Sequence, residues 1–176
     1  MKIWEKIQIK YARSPKKRAE LIKNTRGGVS LGERCEIYPD VSFGSEPYLV
    51  QIGNHVRITS GVKFITHDGG VWVARSLLNR PEMDLFGRII IEDNCMIGTE
   101  ALIMPNVRIG RNSIVAARAV VTKSVPENSV VAGVPAHVIE SIDEYCDKAQ
   151  KRAVNTKLLS KKEKEEYLKR EYLQSE

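Results

Sequence analysis

Between Ile91 and Val121 an aliphatic residue returns at every sixth position: Ile91, Ile97, Ile103, Ile109, Val115 and Val121. Were aliphatics scattered over about a quarter of positions, such a run in a given phase would arise on the order of once in four thousand tries. A step of six matches neither the turn of an α-helix nor the plain alternation of a long strand. It describes short flat strands joined by tight corners, with an aliphatic filling the inside and a small residue letting the chain turn. Modest side chains follow at a fixed offset, Cys95, Ala101, Val107, Ser113, Ala119 and Val125, and Gly98 and Gly110 directly follow their aliphatics. The same spacing occurs earlier at Leu31, Ile37 and Phe43 and at Ile52, Ile58 and Phe64, with Gly32 and Gly53 in the corner position. From Phe43 to Ile52 the step lengthens, which places an insertion around Glu46 to Leu49. Three hexads make one triangular coil, so Val29 to Val131 holds roughly four to five coils, interrupted by a non-repeating excursion at Asp68 to Arg88.

With 176 residues, the chain suits one domain with appendages. Apolar residues at 42% and charged residues at 28% are ordinary globular usage, which excludes a disordered or collagen-like chain. Apolar runs such as Ile89 to Ile91 and Val130 to Val131 are too short to span a bilayer, and the first residues lack a secretory h-region, so a cytoplasmic protein is expected. Cys35, Cys95 and Cys146 are too few and too scattered for a disulfide framework or a metal site. The net charge of +6 is confined to residues 1–26, which carry nine basic residues against two acidic ones. The body is close to neutral and offers no platform for nucleic acid. The basic segment, with Ile3, Trp4, Ile7 and Tyr11 at helical spacing, has two readings: a helix on an anionic membrane surface or charged acceptor, or a solvated helix packed at one end of the domain. The second is preferred. Ser14-Pro15 opens a helix that Gly27-Gly28 is expected to end, and Ser160 with Glu163 reads as a capping box opening a solvent-facing helix. The expected organisation is a basic helical segment over 1–28, a repeat domain over 29–139 with a loop at 68–90, and a helical tail over 140–176.

Over residues 27–142 the sequence resembles the hexapeptide-repeat acyltransferases, most strongly in IEDNCMIGTEALIMPNVRIGRNSIVAARAVVTKSVPENSVVAGVPAHVI. The resemblance implies an all-β core built as a left-handed parallel β-helix, with N- and C-terminal helices and an excursion loop. The handedness comes from the family, because general crossover rules favour a right-handed connection. Also implied are acetyl-CoA as donor, no metal, and a homotrimer with active sites between neighbouring prisms. Thr66 to Gly70, THDGG, looks like the branch that acetylates sugar hydroxyls, including maltose, galactoside and capsular polysaccharide O-acetyltransferases.

Acyl transfer from a thioester needs the acceptor hydroxyl deprotonated as it attacks, and a neutral imidazole suits that task. His67 opens the Gly-rich excursion and matches the family's catalytic His, so it is the candidate general base. His55 lies in a corner and reads as structural; His137, after the GVPA turn, is placed by the resemblance near the cofactor. Register arithmetic stacks Phe43 on Phe64 and therefore Glu46 beside His67 in the next coil, at a strand spacing of about 4.8 Å. Glu46 is the expected imidazole partner, with Asp68 as fallback. Cys35 and Cys95 occupy the small-residue position and read as packing. Three convergent His ligands, which a zinc hydratase needs, are not offered by His55, His67 and His137. The resemblance carries Thr99, Ala117, Thr122 and Lys123 as CoA-binding residues. The excursion reads as acceptor lid and trimer contact, with Trp72 and Asp68 as substrate-binding candidates and Trp72 able to stack on a sugar ring. The expected activity is acetyl-CoA-dependent O-acetylation of a sugar or surface-polysaccharide precursor. The alternatives are N-acetylation of an amino sugar and a non-catalytic scaffold.

Overall fold

The computed structural model describes residues 3–25 and 28–173. Its chain divides into two compact units, Met1–Glu144 and Tyr145–Glu176. The first unit is a three-sided parallel β-helix, in which each six-residue step of the sequence becomes one side of the prism. Strands β1 (Ser30–Leu31), β3 (Val50–Ile52), β6 (Ile89–Ile91) and β9 (Arg108–Ile109) form the first sheet. The second contains β2 (Glu36–Ile37), β4 (Arg57–Ile58), β7 (Met96–Ile97), β10 (Ile114–Val115), β12 (Ser129–Gly133) and β13 (Ala136–Ser141), the last pairing antiparallel with β12. The third comprises β5 (Lys63–Phe64), β8 (Leu102–Ile103) and β11 (Val120–Val121).

Register turns the hexad aliphatics into three internal columns. Leu31, Ile52, Ile91 and Ile109 stack in the first sheet, Ile37, Ile58, Ile97, Val115 and Val131 in the second, and Phe64, Ile103 and Val121 in the third. All are buried, as are Cys95, Ala101, Val107, Ser113, Ala119 and Val125 at the fixed offset. The modest residues therefore point inward, filling the corners of the triangle.

The turning itself is done elsewhere. The left-handed backbone conformation recurs at Arg34, His55, Asn94, Asn112 and Asn128 along the edge between the first and second sheets. It recurs at Asp40, Gly61, Glu100 and Arg118 along the edge between the second and third. The glycines that directly follow the aliphatics do a different job: a Cβ on Gly98 would lie 2.4 Å from the Ala117 amide nitrogen, and one on Gly110 2.4 Å from that of Glu127. They permit coil-on-coil approach. Along the first edge the left-handed residues also bond to one another: His55 Nδ1 meets Asn94 Oδ1 at 2.8 Å, Asn94 Nδ2 donates to Asn112 Oδ1 at 2.9 Å, and Asn112 Nδ2 donates to Asn128 Oδ1 at 2.8 Å. This gives His55 the structural place its corner position suggested.

Helices α1 (Ile3–Lys10) and α2 (Pro15–Lys23) lie at the β1–β2 end. Ser14 caps α2 by accepting from the Lys17 amide, with Pro15 in the first turn. The helix stops at Lys23, before the Gly27-Gly28 pair expected to end it, because Asn24 and Thr25 turn back onto the Glu20 and Ile22 carbonyls; Gly27 lies outside the described residues. Ala19 and Ile22 of α2 join the core, and buried Arg18 donates to the Ile37, Ile9 and Ala12 carbonyls, tying both helices to the first coil.

The excursion after His67 is not a plain loop. It contains α3 (Val71–Leu78), ended by Asn79 in the left-handed conformation. The segment Val-Trp-Val-Ala-Arg-Ser-Leu-Leu has enough good helix formers to hold that turn, and the Arg75 Nε bond to the Met83 carbonyl and the Arg75–Asp84 ion pair fasten the return. The second unit holds most of α4 (Ile142–Arg152) and all of α5 (Lys161–Leu173), neither with a buried residue. Ser160 and Glu163 form the expected reciprocal cap on α5, and Ser141 and Glu144 form another at α4.

Candidate active site

The nine-residue step between Phe43 and Ile52 is accommodated after Glu46, by a short 3₁₀ turn over Pro47–Leu49. The coils before and after it therefore stay in phase. Ser42 pairs with Lys63, and the rings of Phe43 and Phe64 stack with centroids 5.2 Å apart. Glu46 consequently meets His67 on the edge between the third and first sheets, with Oε2 at 3.2 Å from Nδ1.

Two hydroxyls hold this pair. Fully buried Thr66 donates to the same Glu46 Oε2 at 2.7 Å, and Ser45 Oγ lies 3.3 Å from His67 Nδ1. The hydroxyl bonds from Thr66 and Ser45, with the imidazole behind them, hold the Glu46 carboxyl below its ordinary range. A carboxylate beside Nδ1 fixes the tautomer with the proton there and leaves the lone pair on Nε2. The His67 side chain is 46% exposed and that of Glu46 16%, so the ring is the more open to solvent of the two. The backbone is also pinned: His67 bridges Phe86, the Gly87 amide donates to the Thr66 carbonyl at 2.8 Å, and the Asp68 amide to that of Leu85 at 2.9 Å.

Neither Thr66 nor Ser45 was among the sequence candidates. Their signal was adjacency, one immediately before His67 and the other immediately before Glu46. Asp68 turns away from the imidazole, and its Oδ1 accepts from the Gly70 amide at 2.8 Å at the start of α3. Trp72 on α3 is exposed, together with Val73, Leu77, Leu78, Leu85 and Phe86 of the excursion.

The donor-side candidates fall on two edges. Thr122 and Lys123 follow β11 and share the edge of His67, further along the prism. Thr99 and Ala117 follow β7 and β10 in the same register, on the edge between the second and third sheets. There Thr99 Oγ1 donates to Thr59 Oγ1 at 3.3 Å, and the Arg118 amide donates to the Thr99 carbonyl at 2.8 Å. Short side chains leave this backbone approachable. Within one chain the Thr99–Ala117 edge and the His67 edge are different corners of the triangle. His137, on β13, has its Nδ1 3.5 Å from the Pro135 carbonyl.

The thiols have no place in this arrangement. Cys35 and Cys95 are buried, their Sγ atoms pointing at backbone carbonyls, and burial pushes Cys95 up to about 11. Among the described residues no group of three or more His, Cys, Asp or Glu is arranged to hold a metal ion, and no helix is long and apolar enough to cross a membrane.

Residues 88–123 match the family model described as bacterial transferase hexapeptide (six repeats). Protein CapG of Staphylococcus aureus is 49% identical over 143 residues, covering 80% of this chain and 82% of CapG. A galactoside acetyltransferase solved in complex with coenzyme A is 26% identical, with a TM-score of 0.60, over 82% of this chain and 80% of that one. A hexapeptide-repeat acetyltransferase of Vibrio cholerae, solved with acetyl coenzyme A, shares the fold at 24% identity and a TM-score of 0.57, over 78% of this chain and 83% of that one.

Proposed function

This chain belongs to the hexapeptide-repeat transferases, and from that premise we propose that it is an O-acetyltransferase moving an acetyl group from acetyl-CoA to a hydroxyl of a sugar or surface-polysaccharide precursor. It is an acetyl-CoA-dependent acetyltransferase. The prism coils left-handed, as in the family, and works in the cytoplasm, where the donor is found.

The observation that carries this reading is the chain of contacts from Thr66 through Glu46 to His67 Nδ1. His67 Nε2 takes the proton of the acceptor hydroxyl as its oxygen attacks the thioester carbonyl carbon. The resulting tetrahedral centre collapses by breaking the carbon–sulfur bond, and the proton leaves with the thiol of CoA. Glu46 stabilises the imidazolium formed in between and keeps the ring in the working tautomer. Thr99 and Ala117 line the pantetheine arm, and Thr122 with Lys123 meets the phosphates, where an ammonium neutralises their charge. Asp68 shapes the start of α3 at the acceptor mouth, and Trp72 offers an exposed aromatic face to a sugar ring.

The neighbouring copy completes the site in this account. A donor lying along the Thr99–Ala117 edge of one prism meets the His67 edge of the next, which supports a cyclic homotrimer. The test is thiol release from acetyl-CoA across a panel of sugars, with wild type and His67→Ala. Turnover of a hydroxyl acceptor that falls about 10²- to 10⁴-fold in the variant, with acetyl-CoA affinity unchanged, supports the reading. Undiminished turnover in folded His67→Ala overturns the base, and turnover confined to amino sugars moves the acceptor to nitrogen.

A further inference from the structure

The apolar face of α1 has no role in the site. Ile3, Trp4 and Tyr11 are all more than 70% exposed and Ile7 is 42% exposed. The Tyr11 amide donates to the Ile7 carbonyl at 3.0 Å, so the helical turn continues through it. At helical spacing these four side chains occupy an arc of roughly 100°. Ile9 points the opposite way, packs against the core cluster, and is held through its carbonyl by Arg18. The helix is therefore anchored on one side and presents tryptophan and isoleucine to solvent on the other. Exposed Lys10 borders this face in helical register, with its Nζ 5.8 Å from the Tyr11 ring centroid, and exposed Arg13 and Lys16 follow in the bend and at the start of α2.

We propose that α1 docks the protein onto an anionic lipid bilayer, with Ile3, Trp4 and Ile7 entering the interface and the basic side chains meeting the headgroups. Charge complementarity selects this occupant. A second copy would bring the same positive excess against itself, and a nucleic acid offers no apolar phase for the isoleucines. Docking sets the first coil nearest the bilayer, since Arg18 fixes α1 and α2 to Ile37. Glu46 belongs to that coil and His67 to the next, so the catalytic pair, on the reading given above, faces acceptors carried at a lipid surface.

The test is co-sedimentation of the full chain, without acceptor or acetyl-CoA, with vesicles of phosphatidylglycerol and phosphatidylcholine against vesicles of phosphatidylcholine alone. A Trp72→Phe background leaves Trp4 as the sole tryptophan, so its emission reports insertion. The protein is expected to pellet with the anionic vesicles, with a blue-shifted Trp4 emission. Partitioning should fall about tenfold or more as salt rises from about 0.1 to 0.5 M. The variant Ile3→Ser, Trp4→Ser, Ile7→Ser should stay in the supernatant while still acetylating a soluble acceptor. Failure to pellet, unchanged Trp4 emission, or equal binding by the triple variant overturns the proposal. A lower lipid-free sedimentation coefficient for that variant overturns it too, by assigning the face to contact between copies. None of these outcomes bears on turnover of a soluble sugar, so loss of the membrane reading and loss of the acetyltransferase reading are told apart.

Discussion

Thr66 converts a flexible carboxylate into a fixed one. Its hydroxyl is buried, and its bond to Glu46 is the main reason that carboxyl is held below the ordinary range. Replacing it by valine keeps the shape and removes one charge-assisted bond, so kcat should fall about tenfold with little change in the KM for acetyl-CoA, and Thr66→Ser should restore most of it. Loss of activity shared equally by the serine variant would mean that packing, not the bond, matters. The lowered Glu46 carboxyl also sets a direction for stability. A group depressed in the folded state contributes above its unfolded pKa and loses that contribution as pH falls through the folded value. Wild type should therefore melt higher than Glu46→Gln at neutral pH, and the gap should close below about pH 4. A gap independent of pH would place the effect in shape. The pairing of Glu46 with His67 was legible because coil register is arithmetic once the insertion is placed. The hydroxyl partners were not, because which way Thr66 and Ser45 turn depends on side-chain rotamers that spacing does not encode.

At the level of the corner, two neighbouring residue types divide the work, and substitutions should tell them apart. Gly98 has no left-handed backbone to excuse it, yet a Cβ there meets the Ala117 amide and the Ala116 carbonyl carbon at 2.4 and 2.5 Å. Backbone cannot step aside as a side chain can, so Gly98→Ala should destabilise by about 1–3 kcal/mol. Asn112 is the reverse case, with φ of 55°, a conformation that β-branched residues resist. Asn112→Val also breaks the bonds to Asn94 and Asn128 and should cost about 1–3 kcal/mol, whereas Asn112→Gly should recover the backbone part of that loss. Denaturant midpoints measured on these three variants check the division. Equal losses for Asn112→Val and Asn112→Gly would mean that the ladder, not the backbone, carries the effect. The sequence made the glycines look like the turn because glycine is the usual bearer of positive φ. Asn94, Asn112 and Asn128 stood in plain view, but their role shows only when the corner is seen to need both close approach and a left-handed residue. The helix inside the excursion was hidden for a simpler reason: eight residues of mixed propensity between glycines and Asn79 carry too little periodicity to separate a helix from a loop.

For the whole molecule the decisive fact is that the two halves of the proposed site climb different edges of the prism. His67 follows β5 in the third sheet, and Thr99 and Ala117 follow β7 and β10 in the second. If each site takes its imidazole from one copy and its donor groove from the next, a variant damaged on either edge alone is dead as a homotrimer, yet the two can rescue each other. Take His67→Ala and Ala117→Glu, the second placing a carboxylate where the donor passes. In a ring containing both kinds of chain, whichever is in the majority, one interface joins an intact His67 to an intact Ala117 and two do not. Random mixing of equal amounts gives about three mixed rings in four, each with about one working site in three, so the unfractionated mixture should recover about a quarter of wild-type turnover and doubly tagged rings about a third. Co-expression of the two differently tagged variants, purification of doubly tagged oligomers and assay of thiol release measures this directly. Recovery near that fraction requires a site shared between copies. No recovery, with mixed trimers demonstrably formed, would place both groups on one chain and leave the neighbouring prism without a part in catalysis.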